Sequence, residues 1–204
     1  MIRRLAVLAF ALLAAGVAQA QAPVKIKFVL DWKYQGLHAW YLIAQDRGYY
    51  KAEGLDVEID QGDGSAATIT KIAGGAYNAG FGDMNAIIQL ASAKPQDAPV
   101  MVYMVYNKAP FVVATRKSSG ITKPKDLEGK IIGSPAGGAA LKLFPAFAKH
   151  AGFNEKSVSY SNMAPQLQEQ MLLRGDVHAS LAFIVTSWFN YKKVGVDQIG
   201  RAHV

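Results

Sequence analysis

The chain contains no cysteine. That absence excludes disulfides, thiolate metal sites, a cysteine nucleophile and a lipidated N-terminal cysteine. An exported form is therefore expected to be free of a lipid anchor. Long apolar runs are equally scarce. The one near the N-terminus, Leu5 to Val17, is too short to span a bilayer, and no later stretch is long enough. Catalytic signatures are missing as well: there is no Gly-x-Ser-x-Gly, no His-Glu-x-x-His and no P-loop. The histidines at 38, 150 and 178 are scattered and have no His or Cys partner at ligand spacing, so neither a metal nor another cofactor is expected.

What is present begins at the two ends. Met1-Ile2-Arg3-Arg4 is a basic n-region, Leu5 to Val17 an apolar core, and Ala18-Gln19-Ala20 a small-x-small cleavage site. Residues 1–20 are expected to be a secretory signal peptide, which places the mature protein in the periplasm. Ile199-Gly200-Arg201-Ala202-His203-Val204 matches one reading frame of a common sequencing adapter, so residues 199–204 are expected to be a non-native tail on a chain that naturally continues. The formal charge of +7 is inflated by these ends. Without Arg3, Arg4 and Arg201, 19 basic residues face 15 acidic ones, a balance of +4. The densest basic group, Lys117, Lys123, Lys125 and Lys130, is broken by Asp126 and Glu128, which reads as a solvated loop. No nucleic-acid partner is expected.

Between the ends, strand and helix signals alternate. Val24 to Leu30 alternates and then turns fully apolar, as a strand entering a core does. Leu37, Trp40, Tyr41 and Ala44 follow at helical spacing, with Gly48 as the C-cap glycine. Leu55 to Ile59 is a period-two strand. Gly62 to Ser65 leads into a helix with Ile69 and Ile72 on one side, and Asn78 to Gly82 is a short strand. Val100 to Tyr106 reads as a strongly apolar strand. After a boundary at Asn107 to Pro110 the alternation resumes: strands at Phe111 to Thr115, Lys130 to Gly133, Val158 to Asn162 and Ala179 to Phe183, helices around Leu141 to His150 and Gln166 to Leu173. Pro145 belongs in a first turn and argues for a later helix start. Ile72-Ala-Gly-Gly-Ala-Tyr-Asn-Ala79 and Leu172-Leu-Arg-Gly-Asp-Val-His-Ala179 share the pattern apolar-x-x-Gly-x-x-x-Ala, one hundred residues apart. The order predicts an α/β protein with mostly parallel, doubly wound sheets and two lobes of the same construction.

In such sheets ligands sit outside the carboxyl ends of the strands. Trp32 stands just past one such end, where an indole stacks on a flat ligand or packs under the loop. Trp40 and Tyr41 lie on the core stripe and read as packing. His38 opens the helix off that stripe, either toward a pocket or bonded locally. Gly64 and Ser65 open a helix after a strand and offer amides and a hydroxyl to a ligand oxygen, while Ser65 also suits an N-cap. Asp83 is a strand-end acceptor or a helix N-cap. Tyr106, Asn107 and Phe111 flank the boundary, and Asn162 ends a strand. Gly62-x-Gly64-x-x-Ala67 imitates a dinucleotide fingerprint, but its strand is not the first and its helix is short.

One stretch carries a resemblance. Trp32, His38, Ala44-Gln45, Gly48-Tyr49-Tyr50 and Glu53-Gly54-Leu55-Asp56-Val57 closely resemble the substrate-binding proteins of ABC importers in the taurine/nitrate/sulfonate and thiamine-pyrimidine-precursor group (SsuA/THI5-like, NMT1-like). The pattern extends through Gly62 to Ser65, Gly80-Phe81-Gly82-Asp83, Asp126-Leu127-x-Gly129-Lys130 and Ile132-Gly133. The resemblance implies a two-lobed type II periplasmic binding protein fold, with lobe one at 21–108 and an incomplete lobe two at 109–198. It implies a monomer that captures a small molecule in the cleft and docks to an ABC permease. It places Trp32 in the cleft and makes Gly133-Ser134-Pro135-Ala-Gly137-Gly138 the lobe-two counterpart of the Gly64-Ser65 loop. Aromatic residues with Asp83 favour a flat nitrogen heterocycle over sulfonate, taurine or nitrate. The thiamine-pyrimidine synthases share this resemblance and are enzymes. Alignment on Gly75 to Gly80 puts their cofactor-bearing lysine at Gly82 and their histidine at Ala86, and their cysteine-rich motif has no counterpart. No enzymatic activity is therefore expected.

Overall fold

The computed structural model describes residues 22–193 and 199–203. The expected signal peptide lies outside the described residues, as does Val204. Among the described residues no helix is long and apolar enough to cross a membrane.

Two sheets carry the chain. The first has three parallel strands in the order β2-β1-β3, with β1 at Val24–Val29, β2 at Leu55–Asp60 and β3 at Ala79–Gly80. Helices α1 (Ala39–Asp46) and α2 (Tyr49–Ala52) join β1 to β2, with Gly48 at φ 72° turning the chain between them. Helix α3 (Ser65–Ala73) joins β2 to β3, and α4 (Met84–Ala93) follows. The second sheet has the order β6-β5-β7-β4-β8. Its strands are β4 (Phe111–Arg116), β5 (Ile131–Ser134), β6 (Ser159–Asn162), β7 (Ala179–Phe183) and β8 (Ile199–His203). Helices α5 (Ala139–Ala151) and α6 (Gln168–Arg174) make the crossovers, and α7 (Ile184–Lys193) follows β7. β5 is parallel to β6 and β7, whereas β4 runs antiparallel to β7 and β8.

The repeated sequence pattern is a repeated structure. β1, β2 and β3 are wound in the same order as β5, β6 and β7. At both helix-to-strand junctions a glycine adopts positive φ, Gly75 at 75° and Gly175 at 89°. Behind each, a backbone bond spans the helix end: Ala76 N–H to the Lys71 carbonyl and Asp176 N–H to the Met171 carbonyl, both 3.0 Å. This is the Schellman closure, in which a left-handed residue frees the chain to leave the helix.

The lobe-two core forms around Phe144, fully buried, with the rings of Phe147, Phe153 and Tyr160 about it at 5.8–5.9 Å. That burial explains why α5 runs through Pro145, although the sequence argues for a later start. One lost backbone bond is outweighed by a face of Ala140, Phe144, Phe147 and Ala148. In lobe one, Thr68 is buried and its hydroxyl donates to the Leu30 carbonyl at 2.8 Å, tying α3 to the end of β1. Thr68→Val keeps the volume and removes that bond. It is expected to cost about 1–2 kcal/mol, read from the urea midpoint. Asp126 of the Asp-Leu-x-Gly-Lys run accepts the backbone N–H groups of Thr122 and Lys123, which hold its carboxyl below the usual range. Its role is to close a turn.

Val100 to Tyr106 differs from expectation. It forms no strand, and Val100 and Val102 are 84% and 92% exposed. Apolar composition supplies β propensity but not a partner, and no described strand pairs with it.

Candidate functional site

The carboxyl ends of β1, β2, β5 and β7 meet in one cleft between the two sheets. β1 delivers Leu30 to the interior, and Asp31 follows, only 8% exposed. The loop after β2 packs backbone against backbone on this turn, with Gly62 N–H bonded to the Trp32 carbonyl at 3.0 Å and Gly64 N–H to the Asp31 carbonyl at 2.7 Å. A Cβ on Gly62 would stand 2.0 Å from the Leu30 carbonyl oxygen, so only glycine permits the approach. The cleft holds a cavity of ≈ 50 Å³ whose walls are Asp31, Trp32, Gln35, Gly64 and Ser65 from lobe one and Ser134, Gly138, Gln168, Thr186 and Ser187 from lobe two, with Phe111 and Phe183 at its base. Small-molecule sites commonly exceed ~300 Å³, so entry of a ligand requires the lobes to part.

The two walls differ chemically. Lobe one presents the Asp31 carboxylate. Its Oδ1 lies 3.3 Å from His38 Nε2, and its Oδ2 accepts the Ser65 hydroxyl at 3.3 Å. His38 is wholly buried, and its Nδ1 makes no hydrogen bond among the described residues. Lobe two presents donors: the start of α5 after Gly138, and the first turn of α7 with Thr186 and Ser187, where unpaired backbone N–H groups concentrate. Ser187 is 8% exposed. Gln168, also buried, spends its amide nitrogen on the Ser180 hydroxyl at 2.8 Å and the Leu181 carbonyl at 2.5 Å. Its carbonyl oxygen remains as an acceptor.

Two polar contacts join the lobes at margins of the cavity. On one, Ala66 N–H donates to the Gly137 carbonyl at 3.0 Å, with Gly64 at φ 120° beside it. On the other, Lys33 Nζ meets Glu169 Oε2 at 2.7 Å.

Five of the expected site residues line this cavity: Trp32, Gly64, Ser65, Ser134 and Gly138. The other five do not. His38 stands behind Asp31, because the turn of Gly36–His38 directs its ring inward. Asp83 caps α4, accepting the backbone N–H and side-chain amide of Asn85, both at 2.9 Å. Asp83, Tyr106 and Asn107 line an adjoining, wider cavity of ≈ 710 Å³ beneath the 99–107 segment, which shares Asp31 and Phe183 with the first. Burial first, and the Asp31 charge second, raise the Tyr106 phenol above its ordinary range. Asn162 is exposed, and its side-chain oxygen accepts Ala136 N–H at 2.9 Å, bracing the 134–138 loop. Trp40, expected in the core, is 43% exposed and rests edge-on against Tyr41 and Tyr106. Sequence reasoning missed Asp31, Gln168 and Ser187. Asp31 was visible as the polar residue ending an apolar strand, but nothing in the pattern marked Gln168 or Ser187.

Comparison with known proteins fits this geometry. The NMT1/THI5-like family profile matches residues 35–198. The alkanesulfonate-binding protein SsuA of Xanthomonas axonopodis pv. citri, bound to MOPS, superposes with a TM-score of 0.67 at 14% identity, over 87% of this chain and 60% of that one. An ABC uptake transporter substrate-binding protein of Streptococcus pneumoniae with bound histidine superposes at 0.62 with 19% identity, over 88% and 74%. These likenesses establish the two-lobed fold of ABC-importer substrate-binding proteins.

Among curated proteins, the 4-amino-5-hydroxymethyl-2-methylpyrimidine phosphate synthase of Schizosaccharomyces pombe is 33% identical over 110 residues, 53% of this chain and 31% of the relative. The matched stretch thus spans about a third of the fungal curated relatives' length. That name corrects one expectation. The sequence argument led to no enzymatic activity, whereas the curated relatives are named as enzymes. Asp31 and Ser65 stand on the cleft wall, with His38 buried behind Asp31. With the profile matching most of its length and the fold agreeing, the chain belongs to the NMT1/THI5-like family.

Proposed function

We propose that this chain is the ligand-capturing part of an extracytoplasmic solute-binding protein. It closes two lobes over a small N–H-bearing heterocycle and delivers it to the permease of an ABC importer. The observation that carries the reading is Asp31, a nine-tenths buried carboxylate facing the cleft beside the Trp32 indole. A buried acceptor backed by His38 and Ser65 selects a ligand that offers N–H donors, and an adjacent indole selects a flat one. Both fit an aminopyrimidine of the thiamine-precursor kind. A bare anion such as nitrate, or the sulfonate head of taurine, would meet the Asp31 charge on lobe one while finding its donors only on lobe two. The same reading takes residues 1–20 as a signal peptide and the periplasm as the compartment. Closure over ligand distinguishes loaded from empty protein for the permease, through differential affinity for the two states.

A second reading is favoured by the curated relatives' name: the same cleft would carry out the synthase chemistry named there, with Asp31, His38 and Ser65 as its acid–base groups. A thermal-shift screen of the natural protein against 4-amino-5-hydroxymethyl-2-methylpyrimidine, taurine, an alkanesulfonate and nitrate separates the ligand classes. The pyrimidine is expected to raise Tm, and stabilisation by sulfonates alone would overturn the ordering. The named chemistry forms the pyrimidine phosphate rather than consuming the pyrimidine, so chromatography for newly formed 4-amino-5-hydroxymethyl-2-methylpyrimidine phosphate in cell extract supplied with the natural protein decides between the two readings.

A further inference from the structure

The ion pair at one margin of the cleft has features that surface pairs generally lack. Lys33 and Glu169 are separated by 136 residues and belong to different lobes, so the pair forms only when the lobes meet. Both side chains are partly covered, 19% and 16% exposed, which strengthens their attraction over that of a fully solvated pair. The carboxylate is also fixed in advance. Glu169 Oε1 accepts the Asn190 side-chain amide at 2.7 Å, leaving Oε2 aimed across the cleft at Lys33. Each member is one residue away from a cavity wall, Lys33 from Trp32 and Glu169 from Gln168. A change in the spacing of the lobes therefore acts on the pair and on the ligand walls together.

We propose that Lys33, Glu169 and Asn190 form an interlobe latch that sets how long the cleft stays shut. Lys33 and Glu169 supply the attraction, and Asn190 is a positioning residue that holds the carboxylate in its reaching orientation. The opposite margin is held by the neutral Ala66–Gly137 bond, so the ionic margin is the one that responds to charge and salt. The flexible lysine stem lets the pair re-form over a range of hinge angles, which a backbone bond cannot do. The consequence for the ligand rests on reading the cleft as its site; the consequence for closure does not.

The test therefore has two readouts on the natural protein. The first is small-angle scattering without ligand. Lys33→Met and Glu169→Gln are each expected to enlarge the radius of gyration relative to wild type, and the exchanged pair Lys33→Glu with Glu169→Lys to restore compactness. Asn190→Ala, which keeps both charges, is expected to give a partial opening. The second is the dissociation rate of 4-amino-5-hydroxymethyl-2-methylpyrimidine by stopped-flow tryptophan fluorescence. Each single charge removal is expected to speed release about three- to tenfold, and the exchanged pair to return it to within about twofold. A latch is sensitive to ionic strength in wild type and insensitive in Lys33→Met. Scattering that responds while no pyrimidine binds upholds the latch and overturns the ligand reading. Unchanged scattering in both single variants, or no rescue by the exchanged pair, overturns the latch.

Discussion

Gly64→Ala is expected to lower ligand affinity by roughly 100-fold or more. Two independent features of that position demand glycine. Its φ of 120° lies in a region that side-chain-bearing residues rarely adopt. In addition, a Cβ there would stand 2.3 Å from the Gly137 carbonyl oxygen and 2.4 Å from the carbonyl carbon. Gly137 belongs to lobe two, and both atoms are backbone, so neither can swing aside. The lobes must separate instead, which breaks the Ala66–Gly137 bond and withdraws the α5 N-terminus from the cavity. Gly75→Ala is the matched control. It shares a positive φ of 75° but meets nothing within 4 Å, so it is expected to cost about 1 kcal/mol of stability and leave binding unchanged. Calorimetric titration with 4-amino-5-hydroxymethyl-2-methylpyrimidine and scattering of the unliganded variants check both. Equal binding losses for the two variants would place the effect in backbone strain rather than in closure.

Asp31→Ala is expected to weaken pyrimidine binding by about 100- to 1,000-fold, because truncating one partner of a buried hydrogen-bonded group costs several kcal/mol. The loss has two parts: the acceptor offered to the ligand, and the support of His38 and Ser65, which are both left without their partner. Asp31→Asn separates them. It keeps the shape and one acceptor oxygen but removes the charge, and the expected loss is about 10- to 100-fold, read by fluorescence titration with circular dichroism confirming the fold. The sign of the effect is diagnostic. A pyrimidine donating N–H groups binds more weakly to Asp31→Asn. A sulfonate or nitrate, freed from a repulsive carboxylate, would bind more tightly.

Much of this architecture is legible in the sequence because it is written in local rules. Alternation of strand and helix signals, the glycine punctuation at Gly48, Gly75 and Gly175, and the repeat one hundred residues apart correspond to the two similarly wound sheets and their matching helix closures. The strand-end rule pointed to Trp32, Gly64 and Ser65, and the resemblance to Ser134 and Gly138, all of which border one cavity; the same rule pointed to Asp83, Tyr106 and Asn107, which do not. Side-chain direction is not local. Whether His38 faces a ligand or braces a carboxylate depends on a turn of three residues, and the pattern left both open. Asp83 satisfies its own helix end, a bond made within two residues that competes with any more distant role. Gln168 and Ser187 reach the cleft only because lobe two folds over lobe one, which no window of sequence encodes. Val100 to Tyr106 has the composition of a strand, yet a strand requires a neighbour, and the described residues supply none.

Placement of the enzyme-named relatives beside transporter-type neighbours gives the cleft its interest. The Asp31–His38–Ser65 cluster suits recognition of an N–H donor, and its groups are also those from which acid–base chemistry is built. The ligand's position relative to Asp31 is therefore the quantity on which both readings turn. A crystal structure of the natural protein with 4-amino-5-hydroxymethyl-2-methylpyrimidine measures it directly. The account predicts the ring against the Trp32 indole, an exocyclic N–H within about 3 Å of an Asp31 carboxylate oxygen, and the Lys33–Glu169 pair closed over it. A ring seated instead in the wider cavity under residues 99–107, or an acceptor rather than a donor turned toward Asp31, would contradict it.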